Sequence, residues 1–315
     1  MISIYKSFDN ENGADLKKIE DIEPGCWINV VSPTDQELLL LSKKTNVPMD
    51  FLRTPLDDEE PSRVEIEDDI IMIVVDIPFT EMEENSLTYD TYPLAIIYTE
   101  KYLITVCLKN NKVLSDFTKN NIKDFFTYKR SRFILQILYR VSSYYLVCLR
   151  QIDKKSLMIQ KRLQRTVSNK QFMHLLSLRN SLIYFSTSLK SNEMTLEKLL
   201  KLELLQRYDA DKDLLEDVII ENRQALEMTS IYSNILSGTM DVSAAVISNN
   251  LNIVMKFLTS ITIVMSIPTI ISGYFGMNVG GIPFESAPLG FWYAIGSSLL
   301  LSLVVILYLK KRQLF

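Results

Sequence analysis

Short apolar runs, rich in β-branched and aromatic residues, punctuate the first hundred or so positions at 1–5, 26–31, 70–75, 94–98 and 103–107. Runs of that length and composition predict β-strands. Between the second and third, Ser32-Pro33-Thr34-Asp35-Gln36-Glu37 leads into four consecutive leucines. The segment holds an N-cap candidate, a proline suited to a first turn and Thr34/Glu37 at capping-box spacing, so a helix is predicted to start there. From about Ser131 the pattern changes. Leu, Ile, Lys, Glu and Gln recur at helical spacing, with no proline until Pro268 and a single glycine, Gly238. That stretch divides into helices over 131–166 and 170–202 and a third that begins near Asp211 and runs on toward the C-terminal end.

The end of the chain, after Lys256, is different material. Residues 257–275 and 289–309 carry no formal charge, and each is close to the ~20 residues an α-helix needs to cross a hydrocarbon layer. A buried hairpin in a soluble core is the competing reading, but core helices are usually shorter and more interrupted. The expected class is therefore α+β: a mixed α/β cytoplasmic domain over 1–130, a helical bundle and stalk over 131–256, spans at 257–275 and 289–309, an outer loop at 276–288 and a basic cytoplasmic tail at 310–315. Two crossings put both ends on one side, and Lys310, Lys311 and Arg312 directly after the second span mark that side as cytoplasmic. Trp292 and Tyr293 fall at the outer boundary, where amphipathic aromatics are favoured.

Steps of four and three residues from Asp241 pass through Ala245, Ser248, Asn252, Met255, Thr259, Thr262, Ser266, Thr269 and Gly273. Met255 apart, this edge is small or polar throughout, whereas its neighbours include Ile253, Val254, Phe257, Ile261, Ile263 and Ile270. The spacing is a heptad seam, which lets like helices gather around an axis. Two spans cannot enclose a watery path alone, so a pore reading requires several copies. Close helix packing is the plainer reading, since small residues favour it and hydroxyls can bond backbone carbonyls. The edge also extends below the membrane and begins with Asp241 and Asn252, which favours the pore.

The formal charge of −4 argues against nucleic acid as a partner and for cations. Cys26, Cys107 and Cys148 are odd in number and widely spaced, so they read as reduced, buried thiols. The N-terminal residues lack the basic and apolar regions of a cleavable signal. Enzyme chemistry finds little support: there is no phosphate-cradling glycine loop and no G-x-S-x-G elbow, and the one histidine, His174, sits in a helical stretch.

The first span ends in Gly273-Tyr-Phe-Gly276-Met277-Asn278, and Gly276-Met277-Asn278 is the signature tripeptide of the CorA-type magnesium transporter family. Its position, closing a charge-free span ahead of a short loop, a second span and a basic tail, makes the match specific. Leu214-Leu-Glu-Asp-Val218, Leu236-Ser-Gly-Thr-Met-Asp-Val242, Asn252-Ile-Val-Met-Lys256 and Tyr308-Leu-Lys-Lys-Arg312 resemble the family's stalk, pore helix and basic cluster. Pro61-Ser-Arg-Val-Glu-Ile-Glu-Asp-Asp69 is similar to a segment of its N-terminal domain.

The resemblance implies a funnel-shaped homopentamer in the cell membrane, with lipid, divalent cations and its own copies as partners. No catalytic cofactor is implied, and Mg²⁺ or a related cation would serve as substrate and regulatory ligand. Gly276, Met277 and Asn278 would ring the ion entry. Mg²⁺ dehydrates reluctantly, so neutral amide and backbone oxygens there suit a hydrated ion, as do the unpaired carbonyls that end the span. Asp241, Asn252, Met255, Leu258, Thr262, Thr269 and Gly273 would line the path, with Leu258 and Met255 as the apolar constriction. Asp217 would hold regulatory metal with Asp69 or the adjacent Asp68, whose plainer reading is a solvated acidic surface. The loop Val279-Gly-Gly-Ile-Pro283 resembles instead the family's zinc-transporting branch, thought to be proton-driven. The choice among Mg²⁺, Co²⁺, Ni²⁺ and Zn²⁺ therefore stays open. A membrane-anchored metal sensor is the alternative of another class; it leaves the polar edge unexplained.

Overall fold

Alternation along the strands builds the N-terminal half of the computed structural model, which describes residues 1–10, 13–83, 86–119, 122, 125–165, 169–202, 208–277, 280–283 and 289–312. Seven strands form one sheet in the order β2-β1-β3-β7-β6-β5-β4. They are β1 (Ile2–Asn10), β2 (Gly13–Ile19), β3 (Trp27–Val31), β4 (Arg63–Glu67), β5 (Ile70–Glu83), β6 (Ser86–Tyr98) and β7 (Leu103–Cys107). Only the β3–β7 pair is parallel; every other pair is antiparallel.

Because successive side chains point to opposite faces of a strand, the apolar runs supply two cores. Met72, Val74, Ala95, Ile97, Ile104 and Val106 pack on one face beneath α1 (Asp35–Thr45) and α2 (Met49–Arg53). Ile73, Val75, Leu94, Ile96, Leu103 and Cys107 pack on the other with α3 (Lys112–Thr118), α4 (Arg130–Arg165) and α5 (Asn169–Leu199). The result is three layers, helix on sheet on helix. Trp27 centres the larger core: its indole N–H donates to Thr105 Oγ1 at 2.8 Å, and its ring meets Phe133 edge-on at 5.2 Å between centroids.

The expected strands all form. The capping box also forms, with Thr34 as N-cap bonded reciprocally to Glu37. Pro33 therefore stands just outside α1 and not in its first turn, and Ser32 before it takes the left-handed region at φ 44°. The strands β2 and β4 and the helices α2 and α3 were not anticipated. The two strands are the sheet's outer edges, with Lys, Glu and Arg along them, so they lack a buried alternating face.

Polar groups tie the helices down. On α5, Asn192 acts as a piece of strand: it accepts from the N–H of Asp76 at 2.9 Å and donates to its carbonyl at 2.8 Å. The last helix of this layer, α6, runs from Asp209 to Phe275 with Pro268 inside it. It is held by Asn222 donating to the Leu189 carbonyl at 3.0 Å and by Arg223 paired with Glu193 at 2.7 Å. Contacts divide the chain into two units, Met1–Met240 and Asp241–Phe315. The second holds the rest of α6 and α7 (Gly290–Lys311). Cys26, Cys107 and Cys148 are buried free thiols, and burial pushes Cys107 and Cys148 up to about 12.

Candidate functional site

Among the described residues, α6, whose later part lies in the second unit, and α7 are the two helices long and apolar enough to cross a membrane. Along α6 the side chains that lose exposure are Ser260, Val264, Ile267 and Ile271. Along α7 they are Ala294, Ser298, Ser302, Val305, Ile306 and Leu309. Each helix thus has one face that loses exposure, and on α7 Ala294, Ser298 and Ser302 put small residues at four-residue spacing along it, a pattern that suits helix packing in a membrane. The serines were not singled out from the sequence, although the spacing of Ala294, Ser298 and Ser302 carried that signal.

The polar edge lies away from that face of α6. At 100° per residue, the line through Met255, Thr259, Thr262, Ser266, Thr269 and Gly273 is roughly 150° around the helix from Ser260, Val264, Ile267 and Ile271. It is left uncovered. Asp241, Asn252, Met255, Thr262 and Thr269 are all exposed along it, Leu258 is exposed to one side of it, and nothing stands within 4 Å of the position a Cβ would take on Gly273.

The hydroxyls on this edge bond inward. Thr262 donates to the Leu258 carbonyl at 2.9 Å, Thr269 to Met265 at 3.1 Å and Ser266 to Ile263 at 2.8 Å. This is the self-satisfaction expected of a plain membrane helix, yet it has a chemical consequence. A hydroxyl that gives its proton to the backbone presents only lone pairs outward. Such a surface accepts from the water shell of a cation.

Helix α6 stops at Phe275, and the chain leaves it with the Gly276 N–H on the Ser272 carbonyl at 2.9 Å and the Met277 N–H on Tyr274 at 3.3 Å. A Cβ on Gly276 would sit 3.2 Å from the Ser272 oxygen, so the first motif position favours the residue without one. Met277 is half exposed. Asn278 and Val279, which complete the motif and open the loop, lie outside the described residues. At the other end of the spans, Lys310 and Lys311 occupy the last turn of α7 and Arg312 is its C-cap. Positive charge there complements the helix dipole.

The candidate regulatory carboxylates belong to the first unit. Asp68 and Asp69 form the two-residue turn joining β4 to β5, with Asp68 in the left-handed region at φ 50°. Asp217 stands on the exposed side of α6, next to buried Val218. Among the described residues no group of three or more metal-ligating side chains converges within one copy.

A two-span integral membrane protein with a three-layer α/β/α domain ahead of its spans is the class these features define. The chain belongs to the family described as CorA-like Mg²⁺ transporter protein, whose model matches residues 23–311. That is a family of transporters and not of enzymes. The chain is 27% identical over 291 residues to the cobalt/magnesium transport protein CorA of Methanocaldococcus jannaschii, covering 91% of this chain and 90% of the relative. The complete structure of the CorA magnesium transporter from that organism superposes with a TM-score of 0.82 at 23% identity, covering 98% and 97% of the two chains. The ZntB cytoplasmic domain from Vibrio parahaemolyticus shares the fold at a TM-score of 0.58 and 14% identity, over 79% of this chain and 96% of that one.

Proposed function

We propose that the chain carries divalent cations across the cell membrane, Mg²⁺ first among them and Co²⁺ and Ni²⁺ by the same route, as a homopentamer with both termini in the cytoplasm. The observation that carries this reading is the exposed polar edge of α6, on the side of the helix away from Ser260, Val264, Ile267 and Ile271. In a ring of copies with α7 outside, that edge lines a shared path.

Chemistry along the path then follows from the residues. Asn278, with the backbone oxygens of Gly276 and Met277, holds the hydrated ion at the entry, because Mg²⁺ sheds water too reluctantly for a site that strips it. Gly273, Thr269 and Thr262 pass the hydrated ion along a surface of acceptors. Leu258 and Met255 form an apolar ring that empties of water when the helices close in. Asn252 and Asp241 receive the ion at the inner end. Regulation is assigned to metal shared between neighbouring copies by Asp217 of one and Asp69, with Asp68, of the next. Hard carboxylate oxygens suit that ion. Lys310, Lys311 and Arg312 face the anionic inner leaflet.

The loop Val279-Gly280-Gly281-Ile282-Pro283 supports a second reading, Zn²⁺ transport coupled to protons. One experiment separates the two and tests the entry site. Uptake of Mg²⁺, Co²⁺, Ni²⁺ and Zn²⁺ into proteoliposomes is measured with and without a pH gradient, for the parent and Asn278→Ala. The proposal expects Mg²⁺ flux indifferent to the gradient and a substitution that changes rate and ion choice. Zn²⁺ flux that follows the gradient selects the second reading, an unchanged Asn278→Ala removes the entry site, and no flux of any ion leaves a sensor.

A further inference from the structure

The first unit contains a cavity of about 630 Å³ where the start of α4, the start of α6 and the end of β6 meet. That volume falls within the usual range for small-molecule sites. Its lining is unlike the rest of this acidic protein. Lys129, Arg130 and Arg132 enter it against one carboxylate, Asp211, and three tyrosines, Tyr98, Tyr128 and Tyr208, supply aromatic surface.

The cations are held in place with capacity to spare. Arg130 lies over the Tyr98 ring at 5.2 Å and donates from Nη1 to the carbonyls of Thr99 and Glu100; a guanidinium has five donors in all. Arg132 is fixed by buried Asp211 at 3.1 Å. Lys129 makes no ion pair or hydrogen bond through its side chain among the described residues, and its ammonium rests over Phe126 at 4.4 Å.

This placement contradicts helix stability. The α4 helix opens with Arg130, Ser131 and Arg132, directly after Lys129. A helix start carries partial positive charge and unpaired N–H groups, so it is stabilised by anions and not by a cluster of cations. Where a chain breaks such a local rule beside a cavity, a functional cause is the first to consider. Inorganic anion alone would leave the aromatic wall without a purpose, and Tyr208 in that wall is 62% exposed.

We propose that this cavity binds a phosphate-bearing anion with a flat ring, of the nucleotide class. Its phosphates sit against Lys129 and the first turn of α4, and its base stacks on Tyr208. The site is separate from the ion path and does not depend on which metal the protein carries.

The test is calorimetric titration of the full-length protein in detergent with ADP, inorganic phosphate and adenosine, in EDTA so that metal chelation adds no heat. Lys129→Gln and Tyr208→Ala are the variants, since both side chains are exposed and their loss leaves the core intact; unchanged melting temperatures verify this. The proposal expects saturable ADP binding that weakens at least five-fold in each variant, with phosphate and adenosine each binding more weakly than ADP. Absence of ADP binding overturns it. So does phosphate binding as tightly as ADP with Tyr208→Ala indifferent, or ADP binding that neither variant changes.

Discussion

Asp76 is a carboxylate that the fold has placed at a cost, and its replacement by Asn gives a measurable sign. It lies on β5 where Asn192 clamps its backbone from α5 and Tyr145 donates to its carbonyl at 3.1 Å. Burial raises its pKa from 3.8 to about 6, against the opposing pull of hydrogen bonds from Ser188 and Ser62. A raised acid binds more protons folded than unfolded between pH ~4 and ~6, so its contribution to stability falls as pH rises through that window. At 1.36 kcal/mol per pKa unit, the loss on passing to pH 7 is about 3 kcal/mol. Asp76→Asn removes the titration while keeping shape and polarity. Melting temperatures of detergent-solubilised parent and variant, compared from pH 4 to 7, should diverge by roughly 6–12 °C in favour of the variant as pH rises. A difference between the two that stays constant with pH, or that grows toward acid, refutes the reasoning.

Other perturbations probe the packing within each of the two units. Phe133→Ala empties the centre of the aromatic cluster around Trp27, where Phe133 is fully buried; it should lower stability by about 3–5 kcal/mol in a denaturant titration. Ser298→Leu forces bulk into the buried face of α7, and overpacking of that kind costs roughly 1–3 kcal/mol. The same change at exposed Ser297 should leave the melting temperature of the detergent-solubilised protein unmoved.

Much of this architecture was legible because burial leaves a period in the chain. The central strands β3, β5, β6 and β7 are paired on both sides and buried on both faces, so they read as apolar runs. The edge strands β2 and β4 are half solvated, and their lysines and glutamates hid them. The membrane helices announced themselves by lacking charge over the right length. What one sequence does not encode visibly is which face of α6 and of α7 loses exposure. That face holds Ser260, Ser298 and Ser302, and serine is equally at home at a helix contact, on a lumen or against its own backbone. The carboxylates proposed for regulation were harder still. Asp68 and Asp69 on one turn and Asp217 on α6 are exposed, and the proposed site takes its ligands from two copies of the chain.

Thiol accessibility along α6 tests the orientation of the polar edge most directly. The three native cysteines are buried, and two of them are held near pKa 12, so a charged, membrane-impermeant thiol reagent should report on introduced cysteines alone. In proteoliposomes, Thr262→Cys and Thr269→Cys should react and lose ion flux on modification, whereas Ser260→Cys, Val264→Cys and Ile271→Cys should stay unmodified and conduct. Modification and block at Ser260, Val264 and Ile271, with Thr262 and Thr269 inert, would mean that the edge faces lipid and that the path lies elsewhere.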